Sequence, residues 1–220
     1  HSDTIFINYE DHVTPDRLSE FDAGANKLST LKSLAARFDA GVLEVHQHMA
    51  KSADGTEVPY FVIHRKGLKP DGRTPTILYG YGGFEISLKP SYSATIGKLW
   101  LERGGAYAVA NIRGGGEFGP RWHKAALKTE RQRAYDDFIA VGEDLAKRGI
   151  TSPKHLGISG GSTGGLLVGA IFTQRPDLLN AVVCRVPLLD MIRYTKLLAG
   201  ASWAAEYGDP EDPKMREAIL

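Results

Sequence analysis

The clearest chemical signal in this 220-residue sequence is a serine set between glycines, in the run Gly160-Gly-Ser-Thr-Gly164. A strand is predicted just before the run, at residues 156–159, and a helix just after it, from Thr163. In a tight turn from strand to helix, a serine hydroxyl stands clear of the sheet beside the positive end of the helix dipole. Glycines on both sides remove Cβ atoms that would clash in such a turn. We therefore predict that Ser162 is a nucleophile and that the Thr163 N–H stabilises the oxyanion.

A second glycine-rich segment, Tyr79-Gly-Tyr-Gly-Gly-Phe84, follows directly after a short predicted strand at residues 76–79. Glycines let the backbone come close to a substrate carbonyl, so this loop can supply the other donor to the oxyanion. The alternative is a plain turn between a strand and a helix, in which Tyr81 is a packing residue.

A third glycine-rich segment fits a different chemistry. Residues 114–119 satisfy G-x-G-x-x-G, and Asp136 and Asp137 follow about 20 residues later, as in dinucleotide-binding units. Such a unit should open its domain, whereas a strand and a helix already precede this segment. Pro120 also makes a poor start for a closely packed helix. We therefore disfavour nucleotide binding, and the sequence contains no G-x-x-x-x-G-K-[ST] run for a phosphate-binding loop.

The sequence offers only weak candidates for a metal site and for a reactive cysteine. His46 and His48 would share a face if residues 43–48 form a strand. No third ligand is apparent nearby, and a solvated hairpin face explains both histidines, so we predict no metal site. The single cysteine, Cys184, lies in a run of valines and is interpreted as a small buried hydrophobic residue. One cysteine also excludes an intrachain disulfide and an all-cysteine zinc site.

The hydrophobic pattern around these segments predicts alternating strands and helices. Strands are predicted at residues 4–9, 27–31, 43–48, 58–64, 76–79, 106–112, 156–159 and 181–186, and helices at residues 92–103, 131–147 and 163–174. Asp54-Gly55 between two alternating runs predicts a hairpin. Short apolar strands that alternate with helices are typical of an α/β protein whose mostly parallel sheet has helices on both faces. The boundary is placed between a small β module, residues 1–36, and the α/β part, residues 37–220.

Composition limits the class of protein and its partners. Hydrophobic residues make up 42% and charged residues 24%, an ordinary globular balance. The net charge of +1 gives no basic excess for nucleic acid, so no nucleic-acid partner is expected. The longest apolar run, residues 166–172, is far shorter than the ~18 residues of a membrane span, so no membrane partner is expected. The first ten residues do not resemble a signal peptide, which predicts a cytoplasmic location, or a periplasmic one if the parent gene carries a signal peptide.

Many spaced motifs occur together and in order between about Phe38 and Tyr207. They are Tyr79-Gly-Tyr-Gly-Gly-Phe84, Ala110-Asn-Ile-Arg-Gly-Gly-Gly-Glu-Phe-Gly119, Trp122-His-Lys124, Asp136-Asp-Phe138, Thr151-Ser-Pro153, Gly160-Gly-Ser-Thr-Gly-Gly-Leu-Leu167 and Gln174-Arg-Pro-Asp-Leu178. Through these motifs the sequence resembles the prolyl oligopeptidase family of serine peptidases. The resemblance implies an α/β-hydrolase catalytic domain, with residues 37–220 as its N-terminal half. It also implies a β-propeller cap, of which residues 1–36 would be the end.

The same resemblance implies roles for particular side chains. Ser162 would be the nucleophile, and the Thr163 N–H and the Tyr81 hydroxyl would be the two oxyanion donors. Trp203 would stack on the substrate proline in the S1 pocket, and Phe84 would line that pocket. The implied substrate is a short peptide cleaved after proline, and no cofactor is implied.

Two positions depart from the pattern of this family. Thr163 stands where the residue after the nucleophile is commonly Asn, but only its N–H is required. Arg133 stands where a polar amide is usual, which predicts altered contacts with the substrate.

The catalytic triad that this class requires is incomplete in the sequence. Its order along the chain is Ser, then Asp or Glu, then His, yet all seven histidines precede Ser162. Asp190 follows a predicted strand and is interpreted as shaping its own loop. We therefore expect the sequence to end before the catalytic acid and histidine, and the chain alone to be inactive.

Two other functions are compatible with these patterns. One is a non-catalytic α/β fragment that binds a partner or oligomerises, and the other is an esterase on the same fold. Trp203 and Phe84 suit a peptide pocket, which weighs against the esterase. An exposed sheet edge tends to pair with another copy of the chain, so a homo-oligomer is also expected.

Overall fold

The structure is a computed structural model that describes residues 3–219. The strands are β1 (Thr4–Tyr9), β2 (Arg17–Asp22), β3 (Lys27–Ser33), β4 (Leu43–Lys51), β5 (Glu57–Arg65), β6 (Thr76–Gly80), β7 (Ala106–Ala110), β8 (Leu156–Gly161) and β9 (Ala181–Arg185). The α-helices are α1 (Ala94–Leu99), α2 (Pro120–Lys124), α3 (Gln132–Lys147), α4 (Thr163–Gln174), α5 (Ala204–Tyr207) and α6 (Pro213–Ile219).

The first three strands form an antiparallel sheet of their own, in the order β1-β2-β3. The sequence pattern does not predict β2, because Arg17-Leu-Ser-Glu-Phe-Asp22 has few β-branched residues and only weak alternation. Pairing with a strand on each side imposes the extended backbone there. The assignment of residues 1–36 to the end of a β-propeller stays a prediction.

The larger sheet has the strand order β4-β5-β7-β6-β8-β9. The pairs β4/β5 and β5/β7 are antiparallel, and the other three pairs are parallel. The tight turn between β4 and β5 enforces an antiparallel pair, as the Asp54-Gly55 signal predicts, whereas crossovers through helices allow parallel pairs. The prediction of a mostly parallel sheet is therefore confirmed for β7, β6, β8 and β9.

Helices cover both faces of this sheet, as predicted. Val62 and Ala108 are paired across β5 and β7 and face the core formed with α3 and α4. Ile63 and Tyr107, the next pair in register, face the opposite side, where α1 packs. The apolar stripe of α3 is buried as its spacing predicts, and its members are Ala134, Phe138, Val141 and Leu145.

Helix α1 is shorter than the predicted helix at residues 92–103. Ser93 caps its start by accepting a hydrogen bond from the Ile96 N–H at 3.3 Å. Trp100 leaves helical geometry, and its indole Nε1 donates to the carbonyl oxygen of Ala106 at 2.7 Å. A short 3-10 turn, Leu101–Arg103, follows. The buried indole contact therefore ends the α-helix before its hydrophobic pattern does.

Two smaller expectations can be checked against the fold. Cys184 is half-buried beside the core, and its thiol contacts the carbonyl oxygen of Gly165 at 3.3 Å, close to the buried position predicted for it. Within residues 3–219, no helix combines the length and the apolar character needed to cross a membrane.

Candidate active site

Ser162 lies in the single-residue turn between β8, which ends at Gly161, and α4, which starts at Thr163. Its backbone has φ 57° and ψ −119°, a strained conformation for a residue with a side chain. The residue is exposed. The sharp turn predicted from the sequence is therefore present, and it presents the serine hydroxyl to solvent.

The glycines around Ser162 are required by close backbone approaches. A Cβ on Gly160 would lie 2.0 Å from the carbonyl oxygen of Gly164. A Cβ on Gly164 would lie 2.7 Å from the carbonyl oxygen of Gly80 and 3.7 Å from the Cα of Tyr81. The turn thus packs directly against the loop that follows β6, which brings Tyr81 beside the start of α4.

The start of α4 is well placed to bind an oxyanion. Because Thr163 is the first residue of the helix, its N–H has no acceptor within the helix. Its buried side-chain Oγ1 is hydrogen-bonded to the Tyr207 hydroxyl at 2.6 Å. Burial raises the pKa of Tyr207 to about 12, so its hydroxyl stays protonated at neutral pH. The helix start is therefore fixed by a side chain 44 residues away.

The loop after β6 has an unusual backbone. Gly82, Phe84 and Glu85 have φ values of 67°, 53° and 57°, and two of the three carry side chains. A Cβ on Gly83 would lie 2.7 Å from the Cγ2 atom of Thr163, so the loop touches the first residue of α4. Such strained conformations persist only where surrounding contacts hold them.

A buried ion pair holds this strained loop. Glu206 is 4% exposed, and its Oε1 accepts hydrogen bonds from the Phe84 N–H at 3.0 Å and from Arg131 Nη2 at 3.1 Å. Arg131 is 7% exposed, and its Nη1 donates to the carbonyl oxygen of Gly82 at 2.6 Å. The second carboxylate oxygen, Oε2, lies 2.8 Å from His123 Nε2. Glu206 accepts from the Phe84 N–H and Arg131 donates to the Gly82 carbonyl oxygen, so the ion pair fixes the loop at both residues.

The sequence analysis did not identify Arg131, Glu206 or His123. Glu206 stands three residues after Trp203, the predicted pocket residue, and Arg131 stands at the start of the predicted helix 131–147. Their contact spans 75 residues of sequence, and no local pattern indicates it.

The third glycine-rich segment supports the same loop. A Cβ on Gly114 would lie 2.3 Å from the carbonyl oxygen of Gly82, and one on Gly116 would lie 2.1 Å from that of Glu85. Asp137, which the dinucleotide pattern would use, is fully buried and accepts hydrogen bonds from Arg113. These glycines therefore allow close packing against the loop after β6, and Asp137 is already bound to Arg113.

Phe84 and Trp203, the two predicted pocket residues, both lie near Tyr207. Phe84 is exposed and meets the Tyr207 ring edge to face, at 5.8 Å between centroids. Trp203 is half-buried and packs against the cluster that contains Tyr207 and Leu166. Tyr207 therefore links Phe84 and the cluster that contains Trp203 to the start of α4. The sequence analysis did not identify Tyr207, although it stands four residues after Trp203.

The acid and base of a triad are not assembled among the described residues. Asp190 accepts hydrogen bonds from Arg193 N at 3.2 Å and Nε at 2.7 Å, so it shapes its own loop as expected. Of the histidines later in the chain, His123 binds Glu206, and His155 Nδ1 lies 3.0 Å from Ser152 Oγ. Within residues 3–219, no histidine is hydrogen-bonded to Ser162, and His1 lies outside the described residues.

Comparisons with known proteins match this chain along most of its length. The sequence profile of the prolyl oligopeptidase family matches residues 90–219. An uncharacterized peptidase of Sinorhizobium fredii is 60% identical over 212 residues, which are 96% of this chain and 29% of that protein. A prolyl endopeptidase of Elizabethkingia miricola is 45% identical over 210 residues, which are 96% of this chain and 30% of that protein.

Solved structures agree with the sequence comparisons. A post-proline cleaving enzyme from Rickettsia typhi superposes with a TM-score of 0.92 at 46% identity, covering 99% of this chain and 31% of that enzyme. The chain therefore spans less than a third of the length of these relatives. The superposition confirms the predicted α/β-hydrolase fold. The matched profile and the shared fold together show that the chain belongs to the prolyl oligopeptidase family.

Proposed function

We propose that this chain carries the nucleophile and the oxyanion site of a serine peptidase that cleaves short peptides after proline. The observation that carries the proposal is the exposed Ser162 at positive φ, with a strained loop packed against the first residue of α4. Relatives named prolyl endopeptidase and post-proline cleaving enzyme support the substrate class.

Each residue has a defined part in this reaction. The Ser162 hydroxyl attacks the scissile carbonyl carbon and gives its proton to a base. The Thr163 N–H and the Tyr81 hydroxyl donate hydrogen bonds to the resulting oxyanion. Trp203 and Phe84 hold the pyrrolidine ring of the substrate. No histidine among residues 3–219 is hydrogen-bonded to Ser162, so we expect no turnover from this chain by itself.

Covalent labelling tests the nucleophile. In the full-length protein that contains this chain, a fluorophosphonate probe is expected to label Ser162, as read by peptide mass spectrometry. Ser162→Ala should abolish both labelling and peptidase activity, while the matched variant Ser159→Ala, on the strand just before the turn, should keep both. Undiminished labelling in Ser162→Ala would refute the assignment.

Substrate profiling tests the pocket and the alternatives. We expect faster cleavage of a Z-Gly-Pro chromogenic substrate than of its Z-Gly-Arg analogue. Arg133 already contacts Glu130 at 2.6 Å and the carbonyl oxygen of Ala125 at 3.1 Å, which leaves Trp203 and Phe84 to set the preference. A preference for Arg would remove Trp203 from the site, and hydrolysis of simple esters alone would favour the esterase.

Location and assembly complete the proposal. We place the enzyme in the cytoplasm and expect a homo-oligomer that pairs through the exposed edge of the larger sheet. Strand β9 forms one edge, with Val183 53% exposed. Cell fractionation and light scattering of the full-length protein test the two statements.

A further inference from the structure

Three potential metal ligands meet at the other edge of the larger sheet, on strands β4 and β5. The strand register sets Glu44 directly opposite His64, and His46 lies two residues farther along β4. Side chains two residues apart on a strand share a face, so all three project to the same side. One potential ligand atom from each residue lies within 4.8 Å of those of the other two.

The carboxylate of Glu44 lies between the two imidazoles. Its Oε2 is 3.5 Å from His46 Nε2, and its Oε1 is 3.5 Å from His64 Nδ1. Within residues 3–219, no lysine or arginine forms an ion pair with Glu44. The group is therefore a carboxylate and two imidazoles without a cation, a donor set that suits Zn²⁺ and similar divalent ions.

His64 is prepared for such a role. It is 7% exposed, and its Nδ1 lies 2.8 Å from the backbone carbonyl oxygen of Arg65. A carbonyl oxygen only accepts, so Nδ1, which also faces Glu44 Oε1 at 3.5 Å, carries the hydrogen, and Nε2 is the nitrogen that would bind a metal ion. Metal-binding histidines commonly make this contact, which fixes the ring and its neutral tautomer.

We propose that Glu44, His46 and His64 bind a divalent transition-metal ion of the Zn²⁺ type, with the remaining coordination position open to solvent. The ion would tie edge strand β4 to β5. Three strands, β5, β7 and β6, lie between β4 and the strand that leads to Ser162, so the inference does not depend on the proposed peptidase chemistry. The sequence analysis considered only His46 with His48 and predicted no metal site; His48 is outside the group of three.

The test is a Zn²⁺ titration of the whole protein, without an affinity tag, in competition with a chromogenic chelator. We expect one Zn²⁺ per chain and a rise in Tm on binding. His46→Gln and Glu44→Gln change solvent-facing side chains and should preserve the fold, which circular dichroism checks. Each should weaken Zn²⁺ binding by about 10-fold or more, whereas Mg²⁺ should not compete.

His48→Gln is the matched control, because His48 follows on the same strand and stacks on His46 at 6.0 Å between ring centroids. It should bind Zn²⁺ like the unmodified protein. The proposal is overturned if Zn²⁺ binding is not saturable, if His46→Gln binds as well as the unmodified protein, or if His48→Gln loses as much affinity as His46→Gln.

Discussion

Arg113 and Arg131 are both buried and both bind a buried carboxylate, yet their networks differ in how completely they are satisfied. All three side-chain nitrogens of Arg113 have partners, in Asp137 and in Asp54 of the hairpin turn. Arg131 binds Glu206 through one nitrogen, but its Nε is buried and has no partner among residues 3–219. We call these the scaffold network and the site network.

The two networks also stabilise different segments of the backbone. The scaffold network joins the β4–β5 turn to α3, and the hydrogen bond from Arg113 keeps the pKa of Asp54 well below its usual value, so the pair stays ionised in mild acid. The site network holds the loop in which Phe84 and Glu85 have positive φ. A satisfied network strengthens the fold, whereas the other maintains a strained geometry that serves the site.

Breaking the scaffold network should cause the largest effect. In Asp137→Ala, Arg113 stays buried without its main partner, so we expect the free energy of unfolding to fall by about 3–5 kcal/mol. Urea unfolding followed by circular dichroism measures the change. Asp136→Ala, the neighbouring half-buried acid that binds Gln132, should lose less than about 1 kcal/mol. Equal losses in the two variants would contradict the special role of the scaffold network.

Removing the proposed hydroxyl donor should reduce catalysis and leave stability unchanged. In the full-length enzyme, Tyr81→Phe should lower kcat by about 10²–10³, with a smaller change in KM, because the donor acts where charge develops. Steady-state kinetics on a Z-Gly-Pro substrate gives both constants. Tyr79→Phe, two residues earlier on β6 and stacked on Tyr107, is the control and should leave kcat unchanged. If the kcat of Tyr81→Phe equals that of the unmodified enzyme, Tyr81 is a packing residue and not a hydrogen-bond donor.

Weakening the site network should have an intermediate effect on kcat. Glu206→Gln keeps the shape of the side chain but removes the charge that strengthens its bonds to Arg131 and to the Phe84 N–H. We expect kcat of the full-length enzyme, measured well below Tm, to fall about 10-fold with little change in KM, and Tm to fall as well because Arg131 stays buried without its carboxylate. Glu211→Gln, an exposed acid paired with Lys196, should behave like the unmodified enzyme. A fall in Tm without a kcat effect would assign Glu206 to the scaffold.

The smallest effect concerns a second incompletely satisfied group. His12 packs against Phe61, its Nε2 is buried without a partner among residues 3–219, and burial lowers its pKa below the usual 6.5. The unfolded chain therefore takes up a proton more readily than the folded chain, so stability should decrease as the pH falls below about 6.5. Urea unfolding at pH 7.5 and 5.5 measures the decrease, which His12→Gln should reduce. An unchanged pH dependence in the variant would exclude His12 as its source.

Much of the fold and the turn at Ser162 could be predicted because both depend on local patterns. The strand, the turn and the helix around Ser162 follow from a few adjacent residues, and α4 begins and ends where the pattern predicts. The apolar stripe of α3 follows from its 3.6-residue period. Elements with weak patterns were missed or misjudged, since β2 depends on its partner strands and α1 ends at the indole contact of Trp100.

The sequence by itself determined the sharp turn at Ser162, because only glycines permit the close backbone approaches on either side of it. The tertiary structure alone decided what holds the strained loop after β6. Glu206 meets Phe84 across 122 residues of sequence, and Gly114 meets Gly82 because their strands, β7 and β6, are adjacent in the sheet. Contacts of this kind depend on the order of strands in the sheet and not on spacing along the chain, so no local pattern contains them.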